Sequence, residues 1–215
     1  TNIINKIKKT KIILDILFID DNSTDGTQNE NLKLKKKFKN IYYIFREKKT
    51  GIGSAHKEGI KYCYKNDYNL IITMDCDGTH DPIYLKNLIS KSKLNDYVIT
   101  SRFKKKGLIK DWPLNRKFIT YLRHYLIYIF LGINFDASGA YRCFLTSKIK
   151  LNDILAAKNN SYAFFWEVTH QLNKKGYKIY EIPVRLVYRT LGKSKMSFKH
   201  IINSFLYLLK LTLNR

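Results

Sequence analysis

Short apolar runs alternate with longer amphipathic stretches through the first hundred residues of the chain. The runs are rich in Ile, Phe, Tyr and Val, they end abruptly, and they predict buried strands. They lie at residues 16–20, 41–45, 70–74 and 97–101. The stretches between them predict helices near residues 28–38 and 54–64 and directly after Asp81, with Pro82 in the first helical position. This rhythm predicts an α/β protein with a mostly parallel, doubly wound, Rossmann-like sheet flanked by helices.

The pattern changes in the second half of the chain. It predicts a long aromatic and aliphatic helix at Phe118–Ile133, strands at Gly139–Phe144 and Ile179–Arg189, and a closing amphipathic helix at His200–Leu213. Because no segment reaches the roughly 18 charge-free apolar residues of a membrane span, the long helix belongs either to the core or to a membrane interface. We expect one domain over residues 1–197, followed by an amphipathic helix over residues 198–215 that is a candidate for the interface.

The chain carries 40 Lys and Arg residues against 17 Asp and Glu residues, for a formal net charge of +23. Only eight of the basic residues are Arg, and the Lys residues are spread along the chain instead of forming one stripe. The sequence signatures of RNA-binding and zinc modules are missing, so no nucleic-acid partner is expected. An anionic membrane surface or a phosphate-bearing substrate would suit the excess of positive charge.

Two of the predicted strands end in acidic residues. The run at 70–74 leads straight into Asp75-Cys76-Asp77, and the run at 16–20 ends in Asp20-Asp21. Ligands bind at the carboxyl ends of strands in an open α/β sheet, where carboxylates hold a divalent cation against phosphate groups. A single Asp-x-Asp is a weak signal, because acidic turn residues often follow strands. Two such strand ends favour an enzyme that handles a nucleotide through a metal ion.

Seven motifs then follow one another in the order of a known enzyme family. They are Asp20–Thr27, Arg46–Ala55, Asp75–Pro82, Thr100–Phe103, Trp112–Lys117 with Thr120, Asp136–Arg142 and Arg189–Ser197. In this order they resemble family 2 glycosyltransferases of the GT-A fold, in particular the dolichyl- or polyprenyl-phosphate mannosyltransferase branch. The resemblance implies a GT-A domain and inverting transfer of a hexose, with mannose from GDP-mannose as the leading choice, to polyprenyl or dolichyl phosphate.

The resemblance also implies roles for individual residues. The catalytic residues would be Asp77, Arg102 and Arg116. The donor nucleotide sugar would be bound by Asp20, Asp21, Asp75, Asp77, Arg189 and Lys195. The acceptor phosphate would be bound by Arg102, Arg116 and Thr120. A Mg²⁺ or Mn²⁺ ion would be held by Asp75, Asp77 and Thr79. Asp136 and Glu167 are expected only to support or orient the acceptor site.

Other interpretations stay open from the sequence alone. The same fold accepts UDP-glucose or another sugar nucleotide as donor, and a saccharide in surface-polysaccharide synthesis as acceptor. The family opens with a Pro-x-Tyr-Asn-Glu-like loop that has no match here, and the chain starts at Thr1 without Met. We therefore expect that a first strand is missing, and an inactive fragment is the non-enzyme alternative. A nucleic-acid-binding protein would leave the acidic strand ends unexplained, since they repel phosphate.

The expected location follows from the acceptor. A polyprenyl chain stays in the bilayer, so a transferase without a membrane span must bring its acceptor site to the surface. The two apolar helices and the basic surface predict peripheral, monotopic attachment to the cytoplasmic face of a membrane. Three cysteines, an odd number without metal-ligand spacing, agree with free thiols in a reducing compartment.

Overall fold

The computed structural model describes residues 2–106, 108–186 and 198–213. The strands in these residues are β1 (Ile16–Asp20), β2 (Ile41–Phe45), β3 (Leu70–Thr73), β4 (Tyr97–Ser101), β5 (Arg142–Leu145) and β6 (Ile179–Pro183). The helices are α1 (Asn2–Lys9), α2 (Thr27–Lys37), α3 (Ile52–Lys65), α4 (Leu85–Ser92), α5 (Leu114–Leu131), α6 (Leu151–Leu155), α7 (Ala163–Lys174) and α8 (Phe198–Leu213). The predicted α/β class is thereby confirmed.

The strands form a parallel pair, β1 with β2, and a four-stranded sheet in the order β3-β5-β4-β6. Strands β4 and β6 are parallel, whereas β5 runs antiparallel to both β3 and β4. The four-stranded sheet is therefore mixed. After α5 the chain turns back through Gly132, which ends the helix in the left-handed conformation at φ 67°, and β5 then enters the sheet in the reverse direction.

Helices cover both faces of the four-stranded sheet. Alternation along β4 sends Val98 to one face and Ile99 to the other, and both side chains are buried. Ile99 packs in a cluster with residues of α3 and α7, while Val98 packs in a cluster with Leu88 of α4. A third cluster joins α5, α7 and α8 around Leu208. The observed bounds of β4 are those predicted from the sequence. The largest core cluster of the described residues lies on the sheet face against which α7 packs.

Helix α7 is the main element that the sequence pattern misses. Its first seven residues are all buried, including the charged Glu167. A helix that is apolar on nearly every side shows no amphipathic period, so the 3.6-residue pattern does not reveal it. Helix α5 also begins at Leu114, four residues before the predicted start, with Pro113 in the N-cap position. By contrast, Asp81 caps the turn Pro82–Tyr84 as predicted, because its carboxylate accepts the Ile83 N–H at 2.9 Å.

Candidate active site

The carboxyl ends of the strands bring the candidate residues to shared edges. In the parallel pair, the Arg46 N–H directly after β2 donates to the Asp20 carbonyl at the end of β1, at 2.8 Å. In the larger sheet, Thr73 of β3 and Ile99 of β4 both pair with Arg142 at the start of β5. Strands β3 and β4 therefore flank the start of β5, and the loops after them leave the same edge of the sheet.

Helix α3 connects these two edges. Near its start, Ser54 accepts a hydrogen bond from Arg46 at 2.9 Å. Two residues later, His56 lies among groups of the larger sheet, and its pKa falls to about 3 because of burial and the nearby charges of Arg142 and His80. His56 is therefore a neutral, buried side chain, and its ring packs edge-on against Phe165 of α7.

The two acidic residues after β1 already have protein partners. Asp20 is buried, and its carboxylate oxygens accept the Ser23 N–H at 2.9 and 3.2 Å. Asp21 lies 3.2 Å from the guanidinium of Arg46, whose side chain is only 7% exposed and also approaches Glu58 at 3.4 Å. Asp20 thus stabilises its own turn, while Asp21 belongs to a carboxylate–guanidinium cluster beside the candidate donor site.

The loop after β3 is held by His80. The Nδ1 atom of this buried imidazole accepts the Asp75 N–H at 2.8 Å and lies 3.8 Å from the Asp75 carboxylate. Burial lowers the pKa of His80, although Asp75 and Asp77 oppose the shift. The acceptor role of Nδ1 requires the unprotonated nitrogen, which agrees with that direction. No sequence pattern assigns His80 a function, yet it fixes the backbone that carries both aspartates.

Asp77 stands at the exposed tip of the same loop. One of its carboxylate oxygens accepts the Thr79 N–H at 2.9 Å and the Thr79 hydroxyl at 2.6 Å. Gly78 between them has φ 85°, a left-handed conformation that a side chain would disfavour. The sequence Asp-Gly-Thr therefore forms a tight turn that presents a carboxylate toward solvent.

The donor set of this loop fits a hard divalent cation. Asp75, Asp77 and Thr79 offer only oxygen atoms, the ligands that Mg²⁺ and Mn²⁺ prefer. Within the described ranges there is no group of three or more His, Cys, Asp or Glu side chains arranged to hold a metal. Two carboxylates nevertheless suffice for a cation that takes its remaining ligands from substrate phosphates and water.

Arg102, directly after β4, is buried and anchored by Asp136. Its Nε and Nη2 atoms donate to the two carboxylate oxygens at 2.7 and 2.5 Å, and Nη2 also donates to the Ser138 hydroxyl at 2.5 Å. Burial raises the pKa of Asp136, but the charge and hydrogen bonds of Arg102 outweigh it and hold the pKa below its usual range. The Asp136 N–H in turn donates to Glu181 at 2.6 Å. Two of the three guanidinium nitrogens of Arg102 are thus fixed, and Nη1 makes no hydrogen bond to the described residues.

Helix α5 supplies the other predicted acceptor residues. Arg116 stacks its guanidinium 4.7 Å from the ring centre of Trp112, and the indole of Trp112 donates to the Leu186 carbonyl at 2.9 Å. Thr120 is buried one turn further along the helix. Arg102 and Arg116 both lie near enough to Arg123 to lower its pKa, so the structure brings these cations into one region. The predicted donor residues Arg189 and Lys195 lie outside the described residues.

A family comparison decides what kind of protein carries this site. The sequence model of "Glycosyl transferase family 2" matches residues 1–151, about 70% of the chain. The chain belongs to glycosyltransferase family 2. The resemblance drawn from the seven motifs is therefore confirmed, and with it the assignment as a transferase.

Two proteins named as mannose-transferring enzymes match most of the chain. The undecaprenyl-phosphate mannosyltransferase of Micrococcus luteus is 32% identical over 184 residues, which cover 85% of this chain and 76% of that protein. The polyprenol monophosphomannose synthase of Mycolicibacterium smegmatis is 28% identical over 190 residues, which cover 86% and 71%.

A solved structure supports the GT-A fold. The glucosyl-3-phosphoglycerate synthase of Mycobacterium tuberculosis, in complex with Mn²⁺, UDP-glucose and phosphoglyceric acid, matches with a TM-score of 0.54 at 12% identity. The match covers 91% of this chain and 68% of that one. At this identity the likeness concerns the fold alone.

The family 2 domain also carries a large exposed apolar surface on α5. Its members recur every three or four residues and therefore form one stripe along the helix. They are Phe118, Tyr121, Leu122, Tyr125, Tyr128 and Ile129, each at least 42% exposed. On α8, Ile202, Phe205 and Leu206 are exposed as well. Among the described residues, no helix combines the length and apolar character that crossing a bilayer requires.

Proposed function

We propose that this protein is an inverting mannosyltransferase that moves mannose from GDP-mannose to a polyprenyl phosphate. Two relatives with this type of acceptor match over 85% of the chain or more. The observation that carries the proposal is the pairing of an acidic loop after β3 with a buried arginine after β4 and half-buried arginines on α5. Such an arrangement suits the transfer of a sugar from a metal-bound nucleoside diphosphate, which departs, to a second, separate phosphate.

The donor half of the proposal rests on the loop held by His80. Asp75 and Asp77, with Thr79 beside them, would hold Mg²⁺ or Mn²⁺. A divalent cation there would neutralise the charge that builds on the departing nucleoside diphosphate. The carboxylates of Asp20 and Asp21 would face the base and ribose side of the donor. In this assignment Asp21 stays oriented by its ion pair with Arg46.

The acceptor half needs cations more than a general base. A phosphate monoester is already ionised at neutral pH, so its oxygen can attack the sugar carbon without losing a proton in the same step. Asp136 is unsuited to the role of base, because both of its oxygens are bonded to Arg102 and its pKa is low. Arg102, Arg116 and the Thr120 hydroxyl would instead orient the phosphate, since guanidinium forks match its oxygens.

The apolar stripe on α5 would lie in the membrane interface. A soluble monomer seldom exposes a continuous apolar patch of this extent, and such patches mark contacts with membranes or partners. The stripe begins at Phe118, two residues after Arg116, so a helix in the interface would place that cation, on the opposite side of the helix, near the lipid phosphates. The net charge of +23 would add attraction to an anionic leaflet. We assign the protein to the cytoplasmic face as a peripheral enzyme.

A panel of donors and acceptors tests this function. Purified protein is mixed with Mg²⁺, vesicles that contain undecaprenyl phosphate, and radiolabelled GDP-mannose, UDP-glucose or UDP-galactose in separate reactions. We expect label to enter the lipid phase from GDP-mannose only, and only when the polyprenyl phosphate is present. Transfer from UDP-glucose alone would replace the donor, while transfer to a soluble saccharide without the lipid would overturn the acceptor.

A further inference from the structure

Arg123 lies on the side of α5 that carries two of the predicted acceptor residues. Arg116, Thr120 and Arg123 are four and three residues apart, a spacing that places them on one side of a helix. Ile127, four residues further on, is buried, so this side faces the protein interior. The sequence pattern gives Arg123 no role except that its charge interrupts an apolar run.

Among the described residues, the Nε atom of Arg123 is a buried donor without a partner. Its Nε atom is buried and has no hydrogen-bond acceptor among the described residues. The Asp136 carboxylate is the acidic group whose charge acts on it, but Arg102 already uses both oxygens of that carboxylate. A buried donor of a charged group without an acceptor is costly, and an anionic ligand that supplies the acceptor would remove that cost.

The charges around Arg123 are also unbalanced. Arg102 and Arg116 are close enough to act on its pKa, which burial and these two like charges lower to about 10. On the acidic side, Asp136 is bound by Arg102, and Glu181 behind it is approached by Lys104 at 3.5 Å. Three guanidinium groups therefore lie close enough to act on one another, and in the described part of the chain both nearby carboxylates, Asp136 and Glu181, are already paired with basic side chains. The region is suited to an anion with several oxygens.

We propose that Arg123 is a third cationic ligand of the acceptor phosphate, donating from its buried Nε beside Arg102 and Arg116. This inference rests on the proposed function and adds a selectivity to it. A phosphate monoester carries close to two negative charges and three terminal oxygens at neutral pH, enough for three guanidinium groups. A neutral hydroxyl acceptor offers neither, so the same three charges would exclude it from the site.

Binding of geranyl phosphate, a short and soluble isoprenyl monophosphate, tests the inference without requiring turnover. Titration calorimetry compares the parent protein with Arg123→Met, Arg123→Lys and the control Lys117→Met. Lys117 lies on the same helix and donates to the Lys110 carbonyl, so its loss removes a charge of the same sign from another side. Inorganic phosphate and geraniol serve as separate probes for the head group and the chain, and GDP with Mg²⁺ reports the donor site.

We expect Arg123→Met to bind geranyl phosphate about tenfold to a hundredfold more weakly, as for loss of one charge-assisted hydrogen bond. Arg123→Lys should fall between this variant and the parent, because an ammonium keeps the charge without the fork. Lys117→Met and the affinity for GDP should stay unchanged. Weaker binding of geranyl phosphate with unchanged affinity for inorganic phosphate would overturn the head-group assignment.

Thermal unfolding separates a ligand role from a structural one. If Arg123 serves the phosphate, Arg123→Met without ligand should melt at the parent temperature or above it, since a buried unpaired charge is gone. If Arg123→Met bound geranyl phosphate as tightly as the parent, the inference would be overturned while the proposed function stayed intact. If the Met variant did not fold, parent-like affinity of Arg123→Lys would have the same meaning. A parent protein that binds no geranyl phosphate would overturn both.

Discussion

Replacement of Asp136 by Asn tests the anchor of Arg102. The carboxylate of Asp136 is buried, and the Arg102 guanidinium that it binds through two oxygens is only 8% exposed. Breaking one partner of a buried ion pair costs about 3–5 kcal/mol, because the other charge stays buried without compensation. This is a large share of a total stability of roughly 5–15 kcal/mol. For a chain of this length it corresponds to a melting temperature lower by about 6–20 °C.

Urea unfolding followed by circular dichroism at pH 7 measures the loss, with Asp111→Asn as the matched control. Asp111 also pairs with an arginine, Arg185, but both side chains are more than half exposed, so removal of the same charge there should change stability little. A loss below about 1 kcal/mol in Asp136→Asn, within the range of exposed pairs, would refute the buried-anchor reasoning.

The pH dependence of the same variant gives a second check. The folded pKa of Asp136 lies below its usual value, so its contribution to stability is fully present above the unfolded pKa of about 3.9. It is lost as the pH falls through the lower folded pKa. The stability gap between parent and Asp136→Asn should therefore be constant from pH 7 to the unfolded pKa and then close. A gap that widens in acid would contradict the assigned sign.

Three further predictions concern the loop after β3 and the apolar stripe. Asp77→Asn should abolish transfer while the melting temperature stays close to that of the parent, because Asp77 is exposed. If both the variant and the parent transferred mannose equally well with and without a metal chelator, the proposed metal site would be wrong. His80→Asn should keep much of the activity, because its amide oxygen can accept the Asp75 N–H, whereas His80→Leu should lower kcat; equal kcat in the two variants would deny His80 a positioning role. Leu122→Ser combined with Tyr125→Ser should reduce the fraction of protein that floats with anionic vesicles at low salt. An unchanged fraction would show that the apolar stripe on α5 does not bind the membrane.

Elements of the fold are predicted correctly where the hydrophobic pattern of a segment agrees with the polar or capping residues that bound it. Strand β4 is apolar throughout and bounded by polar residues, and its predicted bounds, Tyr97 to Ser101, are the observed ones. The Asp81-Pro82 pair likewise predicts the helix start correctly, since capping is a local interaction. Helix α7 is hidden because burial on all sides removes its period, and the direction of β5 depends on tertiary packing that no local pattern encodes.

Site residues are predictable from the sequence where the residue type and its position at a strand end together indicate a chemical role. Asp75 and Asp77 follow an apolar strand, and that position alone marks them as candidates for a metal site. Partners that act through geometry are hidden, since nothing in the sequence indicates that His80 accepts the Asp75 N–H or that the Arg123 Nε atom has no acceptor in the described part of the chain. A histidine or arginine inside such a motif can have several different roles, and its contacts in the folded structure determine which role it has.

The identity of the two products tests the central claim most directly. Purified protein is incubated with GDP-mannose, Mg²⁺ and undecaprenyl phosphate in anionic vesicles, and both the lipid extract and the released nucleotide are analysed by mass spectrometry. Direct attack of the lipid phosphate on the sugar carbon predicts GDP together with a lipid that carries one hexose and one phosphorus atom. Release of GMP with a lipid diphosphate would mean transfer of a sugar phosphate, and a lipid left unchanged while mannose enters another acceptor would contradict the claim altogether.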